Sequence, residues 1–68
     1  MNESLTDRAQ RLLAASDLSL REIDRATGLS RSWLSWFQRT KPTDPGVGRV
    51  ERLIRFLEAQ AHRDDAAA

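Results

Sequence analysis

Two segments with helix signals are joined by only three residues, Gly28-Leu29-Ser30, and this junction constrains the fold strongly. The upstream segment Ser19-Leu20-Arg21-Glu22 matches a capping box, in which the serine caps a backbone amide and the glutamate reaches back. It predicts a short helix over 20–27, ended by the junction glycine in a left-handed conformation. The junction serine can cap the next helix, over 31–39. Two helices joined by so short a turn containing glycine form a helix-turn-helix arrangement.

The remaining patterns are also helical, and no segment alternates apolar and polar residues as a strand would. Apolar residues at helical spacing predict a first helix near 5–15 and a fourth near 47–61. The fourth helix has an apolar stripe of Val47, Val50, Leu53, Ile54, Leu57 and Ala61. Both prolines and two of the three glycines lie in segment 41–48, which predicts a loop. The sequence therefore predicts an all-α, compact four-helix domain over 1–62, followed by a frayed tail over 63–68.

Size and composition exclude several classes of protein. The chain has 68 residues, no cysteine and one histidine, His62, so disulfides and a Cys- or His-based metal site are not expected. No apolar run approaches the roughly 20 residues of a membrane span, and no signal peptide is recognisable. No serine has a candidate base nearby, and no glycine-rich phosphate loop is present. We expect a soluble cytoplasmic domain that is not an enzyme and needs no cofactor, membrane or small-molecule ligand.

Charge is distributed unevenly along the chain, although the net charge is only +1. Residues 18–55 contain eight basic and four acidic residues, a balance of +4, whereas 1–17 and 56–68 have balances of −1 and −2. Ten of the eleven basic residues are arginine, whose planar guanidinium suits bidentate contacts to phosphate and guanine. The positive charge in the middle of the chain indicates an anionic partner.

A helical wheel of segment 31–39, at about 100° per residue, separates an apolar face from a polar one. The apolar sector contains Trp33, Leu34 and Phe37, of which Trp33 is expected to pack in the core. The opposite face contains Arg31, Ser32, Ser35, Trp36 and Arg39. This face has two arginines and two small hydroxyls but no carboxylate, whereas a merely solvated face would usually include acidic residues. Small residues allow close approach to a groove, and arginines can reach guanine edges or phosphates.

The segment Ser19–Thr40, with its Gly-Leu-Ser turn, resembles the helix-turn-helix of Cro/repressor-type proteins, which have the lambda-repressor-like fold. Asp44-Pro45, followed by the apolar stripe, resembles the fourth helix of that fold, so the resemblance covers about residues 5–60. It implies a sequence-specific regulator of transcription, a repressor of Cro type, whose partner is a double-stranded DNA operator. It also implies a homodimer that places two recognition helices in successive major grooves.

The resemblance further implies roles for individual residues. The third helix would read bases through Arg31, Ser32, Ser35, Trp36 and Arg39. Phosphate contacts would come from Arg21 at the start of the second helix and from Lys41, Thr43 and Arg49 around the last loop. Gly28 would form the turn. Phe56 and Gln60, beside the apolar stripe of the fourth helix, would be contacts in a homodimer.

Some alternatives stay open at this level. Asp24 stands where the family usually has a small residue between the two helices, so its side chain must be exposed or paired. Thr40 replaces the glycine that often ends the third helix, so the geometry of this end is open. Trp36 could contact a thymine methyl group, a sugar or a phosphate, or it could pack on the loop before the fourth helix. The alternative function is a protein–protein interaction module, or an antitoxin, whose third helix binds an acidic partner protein.

Overall fold

The computed structural model describes the backbone of residues 3–40 and 42–67, and the side chains of these ranges as far as residue 63. In this part of the chain there are four helices and no strand: α1 (Leu5–Ala15), α2 (Leu20–Thr27), α3 (Arg31–Arg39) and α4 (Val47–Ala67). The predicted all-α class is confirmed, and the first three helices have the predicted bounds.

Serine side chains begin the first three helices in the same way. The Oγ atoms of Ser4, Ser19 and Ser30 each accept a hydrogen bond from the backbone amide three residues later, at 3.0–3.1 Å. Gly28 ends α2 with a φ of 78°, and its amide donates to the Asp24 carbonyl at 2.8 Å. A side chain at Gly28 would meet nothing within 4 Å, so the glycine is required by its positive φ and not by lack of space.

All four helices and the turn contribute to one hydrophobic core. Its buried members are Ala9, Leu13, Ile23, Leu29, Leu34, Phe37, Val50, Leu53, Ile54 and Leu57. Leu29, the middle residue of the turn, is only 4% exposed and closes the corner between α2 and α3. Each fully buried large apolar side chain stabilises the fold by about 1.5–3 kcal/mol. The inner face of α3 is therefore fixed, and its opposite face is held in a defined orientation.

The fourth helix differs from its prediction at both ends. Val47, expected in the buried stripe, is 60% exposed, because it is the first helical residue and its side chain tilts toward the N-terminus, past the core. Ala61, at the other end of the stripe, is also exposed. The helix continues through residues 63–67, where a frayed tail was predicted, and residue 68 lies outside the described part. Once a helix has formed, each added residue extends it at low cost, so this segment can be helical without a core to pack against.

A side chain from α1 holds the C-terminal end of α3. The Nε2 atom of Gln10 donates to the carbonyl oxygens of Phe37 at 2.9 Å and of Thr40 at 2.5 Å. Thr40 donates to the Trp36 carbonyl from its Oγ1 at 2.7 Å and from its amide at 3.1 Å. Thr40 itself is extended, with a φ of −117°. The helix thus ends without a glycine, because these side chains satisfy carbonyls of its last turn.

We expect Gln10→Leu to lower the free energy of unfolding by about 1–2 kcal/mol, because two carbonyl groups lose their donor. Urea denaturation followed by far-ultraviolet circular dichroism measures this loss. Gln38→Leu is the matched control, since Gln38 is exposed and has no hydrogen bond from its side chain within the described part of the chain. A loss for Gln10→Leu no larger than that for Gln38→Leu would show that the two hydrogen bonds do not stabilise the fold.

Candidate nucleic-acid interface

The outer face of α3, defined as Arg31, Ser32, Ser35, Trp36 and Arg39, lies on the surface of the molecule. Ser35 is half-buried, and the other four residues are exposed. The core packs against the opposite side of the helix, through Leu34 and Phe37. The helical wheel therefore assigned the two faces of α3 correctly.

The start of α2 adjoins this outer face. A shallow depression of about 460 Å³ lies between them, lined by Leu20, Arg31, Ser32, Ser35 and Arg39. Arg21, next to Leu20 in the chain, is exposed in the first turn of α2. A single anionic partner can therefore meet the first turn of α2 and the outer face of α3 together.

The arginines around α3 are not neutralised by acidic side chains. In the part of the chain that the structure describes, no carboxylate forms an ion pair with Arg21, Arg31, Arg39 or Arg49. The Nε atom of Arg39 donates to the Ser35 carbonyl at 3.2 Å, which directs this side chain along the helix. These four guanidinium groups are therefore available to pair with an anionic partner.

Other arginines have acidic partners. Arg11 donates to Glu3 through two hydrogen bonds of 3.0 and 3.1 Å, and Arg8 forms a salt bridge with Glu58. The hydrogen bonds from Arg11 lower the pKa of the Glu3 carboxyl. Within α4, Arg55 lies 4.0 Å from Glu51. Unpaired positive charge is therefore concentrated in α2, α3 and the first turns of α4.

A second depression lies where α4 begins beside the helix-turn-helix junction. It has a volume of about 600 Å³ and is lined by Gly28, Leu29, Ser30, Trp33, Gly48, Arg49 and Arg52. Arg49, a predicted phosphate contact, is thus close to the turn. Arg52 was not predicted, and its Nη1 donates to the Thr27 carbonyl at 3.3 Å. The i,i+3 spacing of Arg49 and Arg52 is the signal that could have placed both on one face of α4.

The other two predicted phosphate contacts belong to the connection between α3 and α4. Thr43 is exposed there, whereas Lys41 lies outside the described residues. Gly46 has a φ of 90° just before α4, and its carbonyl accepts the first amide hydrogen bond of that helix, from Val50 at 3.1 Å. The structure therefore gives positions for Arg21, Thr43 and Arg49 and none for Lys41.

Trp33 and Trp36 occupy different environments. Trp33 is half-buried and stacks on Phe37, with ring centroids 4.9 Å apart and an angle of 9° between the planes. Trp36 is 39% exposed, and its centroid lies 6.5 Å from that of Trp33 at an angle of 54°. Trp33 therefore packs against the core as predicted, whereas Trp36 presents aromatic surface on the outer face of α3.

Asp24 is half-buried on α2, and within the described residues no hydrogen bond or ion pair is made by its carboxylate. Its backbone carbonyl accepts the hydrogen bond from Gly28. The expectation that this side chain would be either exposed or paired is therefore only partly met. The turn nevertheless has the φ and the buried Leu29 that a helix-turn-helix requires.

The two predicted dimer contacts, Phe56 and Gln60, are only partly exposed. Phe56, which lies beside the apolar stripe in the sequence pattern, is half-buried and packs against the core of its own chain. Gln60 is also half-buried and borders a groove of about 140 Å³ between α1 and α4, together with Leu12 and Leu57. The apolar stripe of α4 could not show this, because the burial of residues beside the stripe depends on how the neighbouring helices pack. Their role in a dimer stays a prediction.

Two helices joined by a glycine turn, with the second presenting an arginine-bearing face to solvent, define a helix-turn-helix domain. A family model described as a helix-turn-helix domain matches residues 4–67. The chain belongs to this family of DNA-binding domains. No curated protein and no solved structure matched the chain. In the described part of the chain, none of the helices has the length and apolar character needed to span a membrane.

Proposed function

We propose that this protein is a sequence-specific regulator of transcription, a repressor of Cro type, that inserts α3 into the major groove of an operator. The supporting observation is the outer face of α3, which is accessible and free of carboxylates. Arg31 is its first residue and Arg39 its last, with small serines between them. This composition suits close approach to base edges and hydrogen bonding to guanine. Occupation of the operator would exclude polymerase and so repress transcription.

Contacts to the DNA backbone would flank α3 on both sides. Arg21 in the first turn of α2 and Arg49 in the first turns of α4 are exposed and have no acidic partner in the described chain. The free amides at the start of α2 would favour a phosphate further, although Glu22 partly offsets this. Lys41 and Thr43 would add contacts from the connection to α4. Phosphate contacts set the register, whereas α3 supplies the sequence preference.

The repressor would bind its operator as a homodimer. Two copies related by a twofold axis would place their α3 helices about 34 Å apart, in successive major grooves on one side of the duplex. Phe56 and Gln60 are the candidate dimer contacts, since each keeps part of its side chain accessible on α4.

Selection from a pool of random duplexes, followed by sequencing, tests this function. We expect an inverted repeat whose half-sites are about 10 base pairs apart, centre to centre. Enrichment of a single unrepeated motif would support base reading by α3 and contradict binding as a dimer. If no motif is enriched, the proposal is wrong, and a protein partner for the outer face of α3 becomes the better explanation.

We expect Arg49→Ala to weaken binding to all duplexes alike, because a phosphate contact does not depend on sequence. The slope of the logarithm of affinity against the logarithm of salt concentration should become shallower by about 0.9 for each phosphate that the variant no longer neutralises. Lys41→Ala should behave in the same way. Fluorescence anisotropy titrations at several salt concentrations, with the selected site and a random duplex, measure both effects.

The control for Arg49→Ala is Arg55→Ala, which removes the same charge from α4. Arg55 is exposed and lies near Glu51, so its removal should leave the slope unchanged. An unchanged slope for Arg49→Ala, or a decrease in affinity confined to the selected site, would contradict a phosphate contact.

A further inference from the structure

Trp36 is exposed although it does not lie at the start of a helix. The exposed large apolar side chains of the described chain are Leu5, Val47 and Trp36. Leu5 and Val47 are the first residues of α1 and α4, where side chains tilt past the end of the core. Trp36 lies inside α3, more than one turn from its start, and still has 39% of its surface exposed. Its exposure therefore follows from its place on the outer face.

An aromatic series connects the Trp36 ring to the core. Phe37 is completely buried, Trp33 stacks on it at 4.9 Å, and Trp36 packs against Trp33 at 6.5 Å with a tilt of 54°. Tilted and stacked rings at such distances are favourable aromatic pairs. A contact of this kind favours one orientation of the Trp36 ring, which lowers the conformational entropy lost when the ring meets a ligand. The outer face thus includes a preorganised apolar surface.

The neighbours of Trp36 on α3 leave space beside this surface. Ser32 lies one turn earlier and is small, and Arg39 lies nearly one turn later. The hydrogen bond from Arg39 Nε to the Ser35 carbonyl directs the Arg39 side chain along the helix. A ligand group that fits here should be small and apolar and should lie close to groups that accept hydrogen bonds from arginine or serine.

We infer that Trp36 recognises the C5-methyl group of a pyrimidine, which in an unmodified operator is thymine. This inference rests on the proposed function and adds the chemical group that is read at one base pair. The thymine methyl is the apolar group among the donors and acceptors of the major groove. The indole has one donor, Nε1, and no acceptor, so its exposed surface gains most from an apolar contact. Cytosine methylated at C5 presents the same methyl group.

Replacing thymines of the selected operator one at a time by deoxyuridine tests the inference, because only the methyl group is removed. At one position in each half-site we expect the affinity to fall about fourfold, which corresponds to about 0.8 kcal/mol for one buried methyl group. Replacing the T·A pair there by 5-methylcytosine·guanine should be tolerated better than replacing it by cytosine·guanine. Fluorescence anisotropy measures each affinity.

The same duplexes are then tested with variants of the protein. Trp36→Ser should bind the thymine and deoxyuridine duplexes equally, because the apolar partner of the methyl group is gone. Trp33→Phe, which retains an aromatic ring next to the core, should still distinguish them. Trp36→Phe keeps an aromatic contact to Trp33, and it should show a reduced preference. Circular dichroism checks that each variant is folded.

The outcomes separate this inference from the proposed function. If random-duplex selection enriches no motif, both are wrong. If a motif is enriched but deoxyuridine is tolerated at every position, the inference about Trp36 alone is wrong. It is equally wrong if the sensitivity to the methyl group persists in Trp36→Ser, since another side chain would then read the methyl group.

Discussion

Replacing Arg31 and Arg39 together by alanine should lower the affinity for the selected operator by about 30-fold or more. Each arginine that makes a specific base contact contributes roughly 1–3 kcal/mol, and the two residues are far enough apart on α3 for their effects to be nearly additive. The preference should relax at two separate base pairs, one for each arginine. Binding to a random duplex should weaken much less, because only non-specific charge is removed. Titrations with both duplexes, followed by repeated selection, measure these changes.

A double variant of Arg55 and Arg63 is the matched control for this experiment. It removes the same charge from α4, where both side chains are exposed and outside the outer face of α3. The control should retain its preference for the operator. The affinity of the Arg31 and Arg39 variant could instead decrease equally for the operator and the random duplex. That result would indicate that the two arginines contact phosphates and not bases. Unchanged binding to both duplexes would mean that α3 is not the reading helix.

Replacing Phe37 by alanine should unfold most of the protein at 25 °C. Truncating a fully buried phenylalanine costs about 3–5 kcal/mol, and the core of a domain this small stabilises it by about the same amount. Phe37 is 0% exposed and supports the Trp33 ring. The helical content of the native protein and of the variant is compared by far-ultraviolet circular dichroism, and their stability by urea denaturation. Operator binding should disappear together with the helical signal.

Phe56→Ala is the control for this prediction, since the same atoms are removed from a half-buried site on α4. Phe56→Ala should lower the free energy of unfolding by less than Phe37→Ala does, and the protein should stay folded. The Phe37→Ala variant could instead unfold cooperatively, with a free energy of unfolding lowered by less than about 1 kcal/mol. The Phe37 ring would then not be a main contributor to the stability of the core.

These variants distinguish two ways in which DNA binding can fail. A helix of nine residues is too short to be stable alone, so α3 depends on its packing and on the Gln10 cap. Substitutions of Phe37 or Gln10 should therefore weaken DNA binding because they lower the fraction of folded protein. Changes at Arg31 or Arg39 should act on binding without a comparable decrease in stability, because both side chains are exposed.

The sequence by itself determined where the first three helices begin and end and which side of α3 faces outward. The signals are local: serine caps bond to amides three residues away, and Gly28 adopts its positive φ at the end of α2. Helical periodicity then separates the two faces of α3, whatever packs against the apolar one. Such features depend on interactions within about one turn of a helix.

Only the tertiary structure decided how the end of α3 is held and which edges of α4 are covered. Gln10 meets Phe37 and Thr40 across 27 and 30 residues of sequence, and Arg52 meets Thr27 across 25. The burial of Phe56 likewise depends on how much of α4 its neighbours cover. Contacts between distant segments are fixed by the way helices pack against one another, and no pattern inside a single helix specifies that packing.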